Sequence, residues 1–163
     1  MKILICLLYL ISFQLYSTET PKIKDIHLST ISTNYVDKTY SLLIGVDENN
    51  TIQYVKTINN KKNKVKIYQN ELLKNNLPLV KAAGVELVTL RCEEFDPSKG
   101  CPITIRYPIN ILVMAFKSFK AEIKKDSNGE WGLYMGPKRF TKMKLIARKV
   151  LGLLIGVDRI EVS

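Results

Sequence analysis

Three groups of residues in this 163-residue chain have types and spacings that could do chemistry. The first is acidic: Glu93, Glu94 and Asp96 crowd one stretch, with Asp126 further on. Paired carboxylates share acid–base work when one is held protonated beside the other. Glu93 and Glu94 are adjacent, however, and diverge if a strand runs through them, so a solvated turn is the plainer reading.

The second is the lone histidine, His27, beside Asp25. One histidine does not make a metal cluster, and no serine stands in a nucleophile-elbow sequence. Any His-based triad would have to use His27 itself, and a surface or edge-strand histidine is the simpler expectation. Asp47-Glu48-Asn49-Asn50 and Asp126-Ser127-Asn128-Gly129-Glu130 resemble pieces of calcium loops, but neither has the glycine and distal glutamate of an EF-hand. The residues indicate no metal ligand set, no cofactor and no catalytic group, and lean away from an enzyme.

The third group is basic, and it carries the functional expectation. The formal net charge is +10. Lys61, Lys62, Lys64 and Lys66 fall in one segment, and Lys138, Arg139, Lys142, Lys144, Arg148 and Lys149 in another. If the second segment is a helix, Lys138, Arg139, Lys142 and Lys149 group on the face away from Phe140, Met143 and Ala147. Such a face attracts phosphate, anionic lipid or acidic glycan. A merely solubilising face is the competing reading. The clusters lack the interleaved aromatics of a base-stacking surface, so there is no specific nucleic-acid motif.

The N-terminus reads MKILICLLYLISFQLYSTET, with one Lys, an uncharged run from Ile3 to Thr18, and small Ser17 near its end. That pattern predicts a signal peptide over residues 1–17, and the run is too short and too interrupted for a spanning helix. Removing residues 1–17 leaves 146 residues with 24 Lys+Arg against 15 Asp+Glu, a charge of +9. Residues 18–163 then suit a single β-rich domain, exported to a periplasm or secreted, with no transmembrane segment. An even pair of cysteines, Cys92 and Cys101, favours a disulfide in such a chain.

Apolar alternation supplies the scaffold. A leading strand is expected within 18–40. SLLIGVD and TIQYVKTI read as a hairpin whose loop is Glu48-Asn49-Asn50, setting Val46 opposite Ile52 and Ile44 opposite Tyr54, with Asn50 left-handed. KKNKVKIYQ is a basic turn entering a short strand. NELLKNNLPLVKAAG has helical composition broken at Pro78 and stopped at Gly84. Placing Cys92 opposite Cys101 sets Leu90 opposite Ile103 and Val88 opposite Ile105. YPINILVMAF, uncharged between Arg106 and Lys117, reads as a strand covered on both faces. A third hairpin turns at Ser127-Asn128-Gly129, with Ile123 facing Leu133, Ala121 facing Met135 and Lys125 facing Trp131. Residues 138–151 are ambiguous: Phe140, Met143, Ile146, Ala147, Val150 and Leu151 follow helical spacing, whereas a strand reading fits only MKLIA and fails at the adjacent Leu145 and Ile146. A helix is the expectation, one that β-rich surroundings can override. The fold class is mainly β: an antiparallel sandwich or partly closed barrel of roughly seven to nine strands with one or two short helices.

The hexapeptide LLIGVD occurs at 42–47 and again at 153–158. Its flanks do not correspond, so the copies read as two core strands rather than a duplication. The change of apolar parity after Val157 predicts a bulge between Gly156 and Arg159.

The functional expectation is a non-catalytic binding or interaction module for an anionic envelope or extracellular partner, whether surface, glycan or protein. Behind it stand a carrier of small apolar ligands, with a pocket near Ile105, Tyr107 and Trp131, and a hydrolase using Glu93, Glu94, Asp96 and Asp126.

Overall fold

The computed structural model describes residues 21–60, 64–69, 77–92 and 100–163. The signal-peptide segment 1–17, Lys61, Lys62 and the acidic residues Glu93, Glu94 and Asp96 lie outside the described residues.

Twelve strands are described: β1 Lys24–Thr33, β2 Lys38–Val46, β3 Ile52–Asn59, β4 Lys64–Gln69, β5 Leu77–Ala82, β6 Val85–Cys92, β7 Cys101–Asn110, β8 Ala115–Lys125, β9 Trp131–Met135, β10 Lys138–Arg139, β11 Lys142–Val150 and β12 Leu153–Val162. They form two six-stranded sheets, one ordered β12-β11-β1-β2-β3-β4 and the other β10-β9-β8-β7-β6-β5. The second sheet is an antiparallel meander throughout. In the first, the β11–β12 hairpin returns to the free edge of β1 and pairs with it in parallel, Thr30 opposite Lys142. The chain is a mainly-β sandwich.

Period-two alternation explains the core. Leu42, Ile44 and Ile52 of one sheet and Leu90, Ile105 and Ile123 of the other are buried in one shared cluster. Across the gap β1 packs on β9, and β12 on β7. Each such fully buried aliphatic side chain contributes about 1.5–3 kcal/mol.

The expected helices are absent among the described residues. Residues 138–139 and 142–150 are β10 and β11, and bulges in β11 imitate helical spacing. Met143 and Leu145 point inward and Lys142 and Lys144 outward, as in a plain strand. Register shifts between Ile146 and Ala147 and between Arg148 and Lys149 then break the alternation into a spacing that resembles a helix. The free edge of β1, distant in sequence, supplied the deciding backbone partners. Residues 77–82 of the second expected helix are the edge strand β5, where Pro78 is tolerated, and 70–76 lie outside the described residues.

The hairpins came out closer. Val46 pairs with Ile52, and Asn50 is left-handed at φ 61. A bulge at Gly45/Val46 moves Ile44 opposite Val55 instead of Tyr54. Ile123 faces Leu133 and Lys125 faces Trp131, with the Lys125 ammonium 5.0 Å from the indole centroid. In the β6–β7 pair the register is two residues from the expected one: Cys92 is opposite Ile103 and Leu90 opposite Ile105. A slip of two preserves every face, so the apolar pattern alone could not detect it.

YPINILVMAF is not a covered strand. β7 ends at Asn110, and residues 111–114 are an exposed turn before β8. The bulge in the second LLIGVD is present, with Ile146 opposite Arg159 and Ala147 opposite Val157. A further shift sends Leu154 inward and leaves Leu153 exposed, so the inward alternation of Leu42, Ile44 and Val46 in the first copy is not repeated in the second.

Candidate functional site

The sandwich has two unlike ends. One holds the β2–β3 and β8–β9 turns and the start of β1. There Trp131, buried in the core, donates its indole N–H to Asn50 Oδ1 at 2.8 Å. Asp47 accepts the Thr51 amide at 2.9 Å and the Gln53 side chain at 2.6 Å, which fixes the turn. A cleft of about 880 Å³ opens here, lined by Lys24, Asp25, His27, Asp47, Trp131 and Arg139 among others.

Asp25, Asp47 and Arg139 are already engaged in this cleft, which Lys22, Lys24 and Glu48 also line. Arg139 donates to the Trp131 carbonyl at 3.1 Å and pairs with Glu130 at 3.5 Å and Asp126 at 3.7 Å. Asp25 accepts hydrogen bonds from the Tyr54 hydroxyl and the Lys56 ammonium. Burial acts to raise the Asp25 pKa, but the Lys56 and Tyr54 hydrogen bonds and the Lys56 charge outweigh it and hold the carboxyl below its usual value. Burial likewise acts to lower Lys56, and the Asp25 contact overcomes it, so the ammonium stays charged to higher pH. Burial and Asp25 together raise the Tyr54 hydroxyl. His27 Nε2 lies 3.2 Å from Thr30 Oγ1, a distance suited to a base and a nucleophile. The nearby carboxylate that could orient the ring, Asp25, serves Tyr54 and Lys56 instead.

The expected basic face does not assemble. Lys138, Arg139 and Lys142 lie towards the cleft end, on β10 and at the start of β11. Lys149 is near the far end of β11, about 23 Å away at 3.3 Å per strand residue, with its ammonium 5.1 Å from the Tyr35 centroid. Lys64, described by its backbone, pairs with Asn59 at that far end.

The far end is where the β1–β2, β5–β6, β7–β8 and β11–β12 turns gather. The parallel β1–β11 pairing carries the β1–β2 turn there, and the Tyr40 hydroxyl, reaching the Lys81 carbonyl at 3.2 Å, ties β2 to β5. The Ile111 amide donates to the Ile155 carbonyl at 2.8 Å, holding the β7–β8 turn against β12. Lys117 and Lys149 are exposed beside these turns, and neither has an ion-pair partner among the described residues. Arg148 reaches Asp158 at 3.5 Å. Apolar side chains cap the same turns: Leu112, Val113, Met114, Val150, Leu151 and Leu153 are all exposed.

Sequence reasoning missed Lys117 and this apolar cap. The uncharged run 107–116 is the available signal, and its apolar character reads as interior. Ile105 and Trp131 of the expected ligand pocket sit in the packed core, and Tyr107 packs against it. Asp126 caps its own turn, accepting the Asn128 and Glu130 amides at 2.8 and 2.9 Å. Among the described residues no group of three or more His, Cys, Asp or Glu converges as a metal site. Comparisons with protein-family models, with curated proteins and with solved structures give no match.

Proposed function

We propose that this chain is an exported, non-catalytic module that binds an anionic partner, and that the turn end of the sandwich is the contact surface. The observation that carries this reading is the segregation of charge. From Gly100 to Ala121 and from Trp131 to Val157 the sequence contains no Asp or Glu. These two stretches supply the β7–β8 and β11–β12 turns and bring Arg106, Lys117, Lys120 and Lys149 with them, while Arg148 beside Lys149 is paired with Asp158. Cations without carboxylate partners raise the local potential and attract phosphate, sulfate or carboxylate groups. Arg139, by contrast, is held by Asp126 and Glu130 and is a poorer candidate for the contact.

Export rests on the N-terminal pattern, and is tested by the mass of the protein recovered outside the cell, expected to begin near Thr18. Binding is tested by retention of that mature form on a sulfated polysaccharide column at increasing salt. The expected result is retention that falls steeply with salt, as for any contact between charged surfaces. Lys117→Glu with Lys149→Glu should weaken it more than Lys138→Glu with Lys142→Glu. Retention unchanged by salt would reject the mechanism.

A further inference from the structure

Hairpin turns facing water are ordinarily polar, and backbone positions with positive φ go to Gly, Asn or Asp, because a Cβ there crowds the chain. Three turns at one end of this molecule set another residue type at positive φ, Ala83, Met114 and Leu151, and at the last two the side chain is also large, apolar and exposed. Leu151 has φ 49 and is 97 % exposed; Met114 has φ 52 and is 71 % exposed. With Gly152 at φ 79, Leu151 occupies a two-residue loop that favours Asn-Gly. So exposed a side chain returns little packing energy for its strained backbone. Strain that folding does not explain is a pointer to function.

The Met114 and Leu151 turns are neighbours. The 2.8 Å Ile111–Ile155 hydrogen bond joins them. A Cβ on Gly156 would fall 2.6 Å from the Ile109 carbonyl, so the strands behind the turns touch backbone to backbone. Leu112, Val113 and Leu153 extend the apolar surface between the tips, with Leu112 76 % exposed. Lys117 and Lys149 flank it, a few residues behind Met114 and Leu151. Acids towards this end among the described residues include Asp37, in the β1–β2 turn, Glu86, which Lys81 engages at 2.8 Å, and Asp158, which Arg148 engages at 3.5 Å.

We propose that this end docks on a membrane bearing anionic phospholipid, with the Met114 and Leu151 tips entering the headgroup–acyl boundary and Lys117 and Lys149 remaining among the phosphates. The pairing of an apolar tip with a cationic collar matches an anionic interface on both counts. A second copy of the chain matches neither, since it would set cations against cations and offer one convex tip to another. This inference rests on the anionic-partner reading and adds the bilayer to it.

The test uses the mature chain and vesicles of phosphatidylcholine with and without phosphatidylglycerol, read by co-sedimentation. Binding is expected only with phosphatidylglycerol, and falls with salt. Leu151→Asn is the decisive variant, because Asn tolerates the left-handed backbone and lacks the apolar side chain. It should equal or exceed the parent in urea resistance, keep its retention on the polysaccharide column, and bind the vesicles about tenfold more weakly. A Leu112→Trp variant should shift its emission to the blue on binding the same vesicles. If Leu151→Asn binds vesicles like the parent while Lys117→Glu with Lys149→Glu does not, insertion is overturned and the electrostatic reading stands. If the parent ignores vesicles but self-associates in a way that Leu151→Asn abolishes, the surface is a contact between copies and the membrane proposal falls. If neither vesicles nor polysaccharide retain the parent, both readings fall.

Discussion

The Ile111 amide donates to the Ile155 carbonyl at 2.8 Å, a backbone hydrogen bond between a turn of one sheet and the edge strand of the other. It makes the sandwich locally continuous at the end where the apolar turns project. The contact depends on Gly156, whose missing side chain lets β12 approach the Pro108 and Ile109 carbonyls. Gly156→Ala should therefore cost about 2–3 kcal/mol in urea unfolding, because fixed backbone must move. Gly45, at the same place in the other LLIGVD, faces the Tyr54 ring, a side chain able to swing aside. Gly45→Ala should cost less, and the reverse order would contradict this account.

The Asp25–Lys56 pair makes stability depend on pH at both extremes. Asp25 is held below its usual pKa, so its contribution is present above the ordinary carboxylate range and is lost as pH falls through the folded-state value. Lys56 is raised, so its contribution is full below the ordinary lysine value and is lost as pH rises through the folded-state one. Asp25→Asn should flatten both limbs in chemical unfolding across pH. At neutral pH it should cost about 1–2 kcal/mol, the charge-assisted hydrogen bond discounted for the partial exposure of Asp25. Unchanged limbs in the variant would assign the pH dependence elsewhere.

Thr57 Oγ1 and Ser29 Oγ are buried without a hydrogen-bond partner among the described residues. Both belong to inward-facing positions that flank Leu42, Ser29 on β1 and Thr57 on β3. Thr57→Val keeps the shape and removes the unsatisfied group, so it should be neutral or stabilising by about 1 kcal/mol. A thermal-unfolding midpoint that falls would reveal a partner for the hydroxyl.

A Cys92–Cys101 disulfide would run diagonally, since Cys92 is opposite Ile103 and Cys101 is two residues further along the same face. Protein prepared without residues 1–17, and hence without Cys6, and purified without reductant should show no thiol reactive in denaturant. Cys101→Ser should release one and lose about 2–3 kcal/mol, as expected for a bridge closing a short loop. Two reactive thiols in the parent would dismiss the bridge.

Local chemistry made part of this molecule legible. Asn50 and Gly129 announced their turns because few residues accept positive φ, and the apolar matches across those turns fixed Val46–Ile52 and Ile123–Leu133. The β11 strand was hidden because its bulges disguised its period and its partner, β1, is remote in the chain. The apolar turns were hidden for a different reason. Leu151 and Met114 are residue types that argue against left-handed backbone and against exposure, so sequence rules placed their neighbourhood inside. Where such rules fail at an exposed, strained position, the failure itself marks the surface to examine.

The parallel seam between β1 and β11 also sets an order of events. As the chain emerges from the ribosome, β1 to β4 can pair as a meander, yet one edge of β1 stays open until Lys142 and its successors arrive. For most of synthesis the nascent protein carries a bare strand edge, the kind of template that invites pairing with other chains. Closing that edge joins early and late parts of the polypeptide, a contact of long sequence separation and slow formation. A chain that completes its sheet only with its last hairpin leaves one edge of β1 unpaired until nearly all of the sequence has been made.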